Sequence, residues 1–259
     1  MNKNELKMIA ESLIDTFQTA GNESIKAYEK GLKIEIKEDK SPVSNGDILV
    51  NDILSKKIAD LTPKIPIISE ETVDLSIRNK FRDFWLIDPI DGTKEYISGK
   101  KEYTLNAALI IDYKPVIGLV SAPKMDKIFY SFGMNESYLI EKGIKKKISC
   151  VKQTPKNEIV AVTSSPNPSE EILKKLKEYG MTSYKSMRSS YKFCVIATGE
   201  FDIYAARERA YEWDYAAGHA IAEHAGAIIT TLDLKKFNYG KKDYKNLSLL
   251  IKRTNNLND

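Results

Sequence analysis

The chain has 259 residues, 42% hydrophobic, 9% aromatic and 29% charged, which excludes a disordered tail, a collagen-like fibre and a membrane-spanning bundle. The 40 Lys and Arg against 36 Asp and Glu leave a charge of +4, compatible with anionic ligands and too small for a dedicated nucleic-acid binder. Cys150 and Cys194 show no CxxC spacing, Glu5 and Lys7 interrupt any signal-peptide core, and no run of about 18 apolar residues occurs. The expectation is a cytoplasmic protein with no membrane insertion.

In chain order, residues 4–29 read as a helix with Leu6, Ile9, Leu13, Ile14 and Phe17 on one stripe, and Gly21 as its point of interruption. Residues 32–37 alternate as a strand, a polar loop runs from Glu38 to Gly46, and a second helix carries Ile48, Leu49, Ile53, Leu54 and Ile58. A short strand, Ile67-Ile68, ends at Ser69-Glu70-Glu71, and the strand Phe84–Ile87 runs straight into Asp88-Pro89. Residues 103–111, 115–122, 127–132 and 137–140 form an antiparallel meander. Gly143 and the run Lys145-Lys146-Lys147 mark a boundary between lobes 1–145 and 146–259. Beyond it come a strand at 159–163, helices at 168–179 and 191–198, a strand at 201–204, a helix at 213–226 and strands at 227–230 and 247–251. The fold class is a layered α/β architecture in two lobes.

Several chemistries lack parts. His219 and His224 match no HExxH pattern and read as packing or surface residues, and neither GxSxG nor GxGxxG is present. The nearest approach to a P-loop, Gly92 to Gly99-Lys100-Lys101, has six intervening residues where four are needed. Carboxylates remain. Glu70 and Glu71 close one strand, and Asp88-Pro89-Ile90-Asp91-Gly92-Thr93 closes the next. Pro89 stiffens the backbone so that Asp88 and Asp91 can face one point with the Ile90 carbonyl between them. Such oxygens suit a hard divalent ion like Mg²⁺. Gly92 and Thr93 begin a helical turn whose free N–H groups suit a phosphate. Asp214 stands at the start of a helix of small residues, where it is either a plain N-cap or a ligand from the second lobe; spacing does not decide.

Three segments together, Ser69-Glu70-Glu71, Trp85 to Thr93 and Trp213-Asp214-Tyr215-Ala216-Ala217-Gly218, resemble in order and spacing the signatures of the inositol monophosphatase superfamily. Lys40-Ser41-Pro42-Val43-Ser44 to Asp47, Gly92 to Ile97 and Ser189-Ser190-Tyr191-Lys192-Phe193-Cys194 look most like its bacterial 3′(2′),5′-bisphosphate nucleotidases. The resemblance, running from about residue 5 to residue 251, implies an α/β/α/β/α layered sandwich with a site at the lobe junction. It implies two or three Mg²⁺ ions held by Glu70, Asp88, Asp91, Asp214 and the Ile90 carbonyl. Glu70 and Thr93 would orient the attacking water, with Asp47 supporting Thr93, while Glu71 would lie near the site without being a ligand.

For the substrate, the resemblance points to Gly92, Thr93, Ser189, Ser190, Asp214 and the arginines Arg207 and Arg209. The implied reaction is removal of the 3′-phosphate from adenosine 3′,5′-bisphosphate, with inhibition by Li⁺. Relatives usually carry glycine where this chain has Arg188, often glycine at Glu208, and a Tyr-Pro-Arg run where Tyr204-Ala205-Ala206 stands. These departures bear on substrate choice and leave the metal ligands intact. An inositol or sugar phosphate is the alternative substrate. A non-catalytic anion or RNA binder using lysines 145–147, 235–236 and 241–242 is the rival class, and no aromatic side chains interleave with those lysines as base stacking requires. The partner is therefore a small phosphorylated molecule and no nucleic acid polymer; oligomeric state is open.

Overall fold

The computed structural model describes residues 1–37, 40–75, 81–151, 158–254 and 257. The N-terminal stripe forms two helices, α1 (Lys3–Ser12) and α2 (Ile14–Glu29). The break falls at the fully buried Leu13, while Gly21 continues α2, so the expected interruption at Gly21 is corrected. Strands β1 (Ile34–Ile36) and β2 (Pro42–Ser44) pair antiparallel, occupying part of the expected loop; Glu38 and Asp39 lie outside the described residues. Ile34 and Ile36 are both exposed, so the alternation there marks a hairpin with no buried face. Helix α3 (Asn45–Leu61) starts on a capping box, in which Ser44 Oγ accepts the Gly46 N–H and Asp47 accepts the Ser44 N–H. Its buried face is Val50, Leu54 and Ile58, whereas Ile48 and Leu49 are exposed.

Seven strands then form one sheet in sequence order: β3 (Ile67–Ser69), β4 (Phe84–Asp91), β5 (Thr104–Ile111), β6 (Lys114–Ala122), β7 (Lys127–Ser131), β8 (Ser137–Glu141) and β9 (Ile144–Lys147). The β3–β4 pair is parallel and the rest antiparallel. The expected meander is thus one strand longer. Its last strand is the lysine run, exposed along its whole length, and charged side chains suit a sheet edge. A division after residue 145 would cut β9.

A short helix, α4 (Thr93–Ile97), follows β4. The second half contains β10 (Ile159–Thr163), α5 (Glu170–Glu178), β11 (Met181–Ser186), α6 (Tyr191–Ala197), β12 (Ile203–Ala206), α7 (Glu212–His224), β13 (Ile228–Thr230) and β14 (Leu249–Lys252). Its five strands are ordered β11-β10-β12-β14-β13. Strand β11, Met-Thr-Ser-Tyr-Lys-Ser, lacks apolar alternation because it is a largely exposed edge, and sequence reading passes over it.

Burial sorts these elements into layers. Trp85 and Ile87 of β4 pack with Phe17, Val50, Leu54 and Ile58 of α2 and α3. Their neighbours Phe84 and Leu86 point the other way and join Phe193 of α6, Ala217 and Ile221 of α7, and Tyr204 and Ile251 of the second sheet. The far face of that sheet, Ala161, Ile203, Ala205 and Leu250, meets Ile172 and Leu176 of α5. The sequence is α/β/α/β/α, as the resemblance implies. Close packing at the centre depends on Gly118: a Cβ there would sit 2.3 Å from the Ala217 carbonyl oxygen of α7. Any side chain at 118 would lift α7, which carries Asp214.

Candidate metal and substrate site

The parallel β3–β4 register sets Ser69 beside Ile87, and the Glu70 N–H donates to the Ile87 carbonyl at 3.1 Å. Glu70 therefore leaves its strand next to Asp88. On the other side, Asp88 pairs with Asn106 and Asp91 with Thr104, so three steps along β4 match two along β5. Strict alternation would place residues three apart on opposite faces. The bulge adds the residue that lets Asp88 and Asp91 turn to one side, and Pro89 is tolerated where the ladder is interrupted. Gly92 then adopts φ 91°, a left-handed conformation that releases the chain into α4.

Glu70, Asp88 and Asp214 bring carboxylate oxygens within 4.8 Å of one another. Asp88 is 1% exposed, and its Oδ1 has no hydrogen-bond partner among the described residues. Asp214 lies at the third position of α7, where it accepts the Tyr211 N–H at 2.8 Å. Asp214 supports the helix start as its third residue, while the N-cap is Tyr211, so the expectation of a plain N-cap is corrected; its carboxylate faces the cluster. Burial first, then the charges of Glu70, Asp91 and Asp214, hold the Asp88 carboxyl well above the ordinary carboxylate range. Asp214 is raised for the same reasons. Glu70 is pushed up to about 7 by burial, against the pull of Lys37 and with the push of Glu71 and Asp91. Crowded buried carboxylates of this kind need a cation. An all-oxygen donor set fits a hard divalent ion.

Asp91 joins this cluster through Ser190, whose hydroxyl lies 2.9 Å from Asp91 Oδ2 and 2.6 Å from the Asp214 carbonyl oxygen. One hydroxyl thereby ties the end of β4 to α7. Burial raises the Asp91 carboxyl, opposed by the Lys192 charge and the Ser190 hydroxyl. The Thr93 hydroxyl is 3.1 Å from the Ile90 carbonyl and 3.3 Å from Asp47 Oδ1, so the expected support of Thr93 by Asp47 is within reach. Asp47 is itself fixed by the Ser44 N–H and hydroxyl, at 2.8 and 2.6 Å.

A cavity of about 380 Å³ opens beside these groups, lined by Asp91, Gly92, Ser189, Ser190, Arg209 and Asp214 among others. Five of the seven expected substrate residues, Gly92, Ser189, Ser190, Arg209 and Asp214, line it together with the expected ligand Asp91, whereas Thr93 does not. Arg207 is absent from this cavity: it pairs with Glu171 of α5 and lines two other clefts, one of which Arg209 also borders. Residues two apart in a β-strand share a face, but Arg207 and Arg209 lie beyond the end of β12, where the chain turns toward α7 and that rule no longer holds.

Two cations escape sequence reading. Lys37 Nζ is 2.8 Å from Glu71 and 3.6 Å from Glu70, which explains why Glu71 stands beside the cluster without joining it. Its signal is positional, the end of β1 just before the loop leading to Asp47. Lys192 is 6% exposed, lines the cavity and donates from Nζ to the Ser189 carbonyl. Burial pushes its ammonium down to about 8, against the attraction of Asp91. A lysine in an otherwise apolar helical run, Tyr191 to Ala197, is the signal that could have found it. His219 and His224 are buried and hydrogen-bonded to Tyr239 and Ser131, in keeping with packing roles.

The family model for inositol monophosphatases matches residues 5–258. The 3′(2′),5′-bisphosphate nucleotidase CysQ of Salmonella typhimurium is 34% identical over 236 residues, covering 90% of this chain and 94% of its own. The protein of the same name from Buchnera aphidicola is 34% identical over 226 residues, 86% of this chain and 84% of the relative. Among solved structures, CysQ from Bacteroides thetaiotaomicron, described as a bacterial member of the inositol monophosphatase family, superposes with a TM-score of 0.75 at 25% identity over 95% of this chain and 96% of that one. An IMPase/NADP phosphatase complexed with Mg²⁺ and phosphate gives 0.76 at 19% identity, covering 96% and 92%, and supports the fold alone. With the carboxylate cluster, the layer order and a matching family model over nearly the whole chain, this protein belongs to the inositol monophosphatase family.

Proposed function

We propose that the protein is a Mg²⁺-dependent 3′(2′),5′-bisphosphate nucleotidase that removes the 3′-phosphate of adenosine 3′,5′-bisphosphate to give AMP and phosphate. One observation carries the reading: a buried carboxylate cluster that needs cations adjoins a cavity walled by Arg188, Lys192 and Arg209, which needs an anion. A bisphosphate answers both needs. Glu70, Asp88, Asp91, Asp214 and the Ile90 carbonyl would hold two or three Mg²⁺ ions, which when bound lower the pKa of a water and neutralise phosphoryl charge.

The remaining work falls to the chain's own groups. Glu70 and Thr93 orient the attacking water. Asp47, anchored by Ser44, is placed to take the Thr93 hydroxyl proton in a hydrogen bond, leaving the threonine oxygen free to accept one from water. The water oxygen joins phosphorus, the bond from phosphorus to the ribose 3′-oxygen breaks, and of the two water protons one ends on that leaving oxygen and the other stays with the released phosphate. Ser190 holds Asp91 and the Asp214 backbone at a fixed spacing while this happens. Lys192 and Arg209 supply positive charge to the part of the substrate that is retained.

Five of the seven lysines in the clusters of the rival binding class pair with carboxylates: Lys145 with Glu11, Lys146 with Glu141, Lys147 with Glu136, Lys235 with Asp233 and Lys241 with Glu212, which reduces what they offer a polyanion. A cytoplasmic location is supported by Cys150 and Cys194, both free and buried, and no helix among the described residues is long and apolar enough to cross a membrane. Phosphate release should be assayed with adenosine 3′,5′-bisphosphate, adenosine 3′-monophosphate, inositol 1-phosphate and fructose 1,6-bisphosphate, in Mg²⁺ and in EDTA. The reading expects the first substrate to be preferred and EDTA to stop turnover. Preference for inositol 1-phosphate would replace it with the alternative, and full activity in EDTA would remove the metal reading.

A further inference from the structure

The structure places the Arg188 side chain in the substrate cavity with Lys192 and Arg209. Its backbone is fixed from two sides. The preceding residue, Met187, donates its N–H to the Thr163 carbonyl at 2.8 Å, and the Arg188 N–H donates to Glu102 Oε2 at 3.2 Å. Ser189 follows in a left-handed conformation, φ 55°, which turns the chain sharply between Arg188 and Ser190. The guanidinium is held lightly by comparison. Nη1 donates to the Ser164 carbonyl at 2.8 Å, and Nε pairs with Glu95 Oε1 at 3.5 Å. Only one of its five N–H donors makes a hydrogen bond among the described residues, and the side chain is 46% exposed.

The charge balance gives these free donors a use. Once Asp91 and Asp214 are committed to metal, the cavity presents Arg188, Lys192 and Arg209 against Glu95 alone. Arg209 makes no hydrogen bond or ion pair through its side chain among the described residues. Two guanidiniums with unspent forks and a buried ammonium match the planar, bidentate demands of a phosphoryl group.

We propose that Arg188 is a specificity-determining residue that, with Arg209, grips a second phosphoryl group and makes this chain selective for bisphosphate over monophosphate substrates. This deepens the nucleotidase reading and rests on it for the location of the scissile phosphate. Arg188→Ala and Arg188→Lys should be compared with wild type on adenosine 3′,5′-bisphosphate and adenosine 3′-monophosphate in saturating Mg²⁺, together with calorimetric binding of AMP, which keeps the 5′-phosphate. Arg188→Ala should raise KM for the bisphosphate about 10-fold or more and weaken AMP by a similar factor, with kcat and the monophosphate little changed. Arg188→Lys should recover only part, since an ammonium lacks the fork.

Glu95→Gln separates this role from a structural latch between Glu95 and Ser164: it should leave the bisphosphate KM unchanged or lower. Equal losses on both substrates, a melting temperature that falls in step with them, or a Glu95→Gln variant that copies Arg188→Ala would overturn the proposal. A wild type that prefers fructose 1,6-bisphosphate would sink the nucleotidase reading alone, provided Arg188→Ala still discriminates that substrate from fructose 1-phosphate. A wild type that cleaves inositol 1-phosphate and no bisphosphate would sink both.

Discussion

Replacing Asp88 with asparagine should stabilise the metal-free protein while destroying its activity. The carboxylate oxygens of Glu70, Asp88 and Asp214 lie within 4.8 Å of one another. At an effective dielectric constant of about 20, two unit charges at that distance repel by about 3.5 kcal/mol. The folded chain can avoid this by keeping a proton. Holding a carboxyl of ordinary pKa about 4 protonated at pH 7.5 costs about 5 kcal/mol, so the two routes are comparable. Asparagine at 88 removes one charge from the cluster and offers an amide donor to a neighbouring carboxylate. The expected gain in EDTA at pH 7.5 is about 3 kcal/mol, or roughly 6–12 °C in Tm for a chain of this size.

The pH dependence follows from the raised carboxyls. Between about pH 4 and 7 the folded state binds more protons than the unfolded state, so metal-free wild type loses stability as pH rises through this window. The advantage of Asp88→Asn should therefore vanish by about pH 4, where unfolded carboxyls are themselves protonated. In saturating Mg²⁺ the order should reverse, because wild type gains binding energy that the variant lacks. Thermal melts with and without EDTA at pH 4 and 7.5 test all three statements. A variant that melts at or below wild type in EDTA at pH 7.5 would refute the electrostatic account of the cluster.

Other outcomes follow from the same geometry. Arg209→Ala should lower kcat/KM for adenosine 3′,5′-bisphosphate about 10- to 150-fold, the worth of a charge-assisted contact, and change adenosine 3′-monophosphate hydrolysis far less; equal losses would assign Arg209 to the fold. Millimolar Li⁺ should inhibit turnover by taking a Mg²⁺ position with too little charge, as steady-state rates against added LiCl would show. Burial pushes His224 down to about 4, where its Nδ1 accepts the Gly133 N–H at 3.2 Å. Its contribution is present above about pH 6.5 and is lost as pH falls toward 4, amounting to about 2 kcal/mol between pH 7.5 and 5. Denaturant unfolding in Mg²⁺ should show wild type losing that much more than His224→Gln over the same interval.

The parts of the fold legible in the sequence were those whose burial has one period. Phe84 to Ile87 runs apolar because β4 is covered on both faces, and the meander after Tyr103 shows itself by turns at short intervals. Strand β11 and the hairpin β1–β2 carry little buried surface, so pairing there leaves almost no trace in composition. The lysine run 145–147 read as a boundary because charge and chain reversal look alike in sequence, whereas an edge strand uses the same charges to stay unpaired. The break at Leu13 escaped because a leucine buried between two helices has the same period as one within a single helix.

The site was legible in a different way, and the contrast explains what was missed. Glu70, Asp88, Asp91 and Asp214 are acids where a strand end or helix start would otherwise need no charge, so their type betrays them. Lys37 and Lys192 are ordinary residues in a chain with 40 Lys and Arg, and only their burial against Glu71 and in the cavity gives them meaning. Arg207 and Arg209 show the converse. Spacing made them equivalent, yet the turn after β12 sends one to Glu171 and the other into the cavity. Arg188, by spacing a departure from the pattern, lies in that same cavity. Cationic substrate contacts therefore have to be assigned from geometry, even where the resemblance implies a set of carboxylate ligands. Substitutions at 188, 207 and 209 are the ones that separate those two kinds of inference in this family.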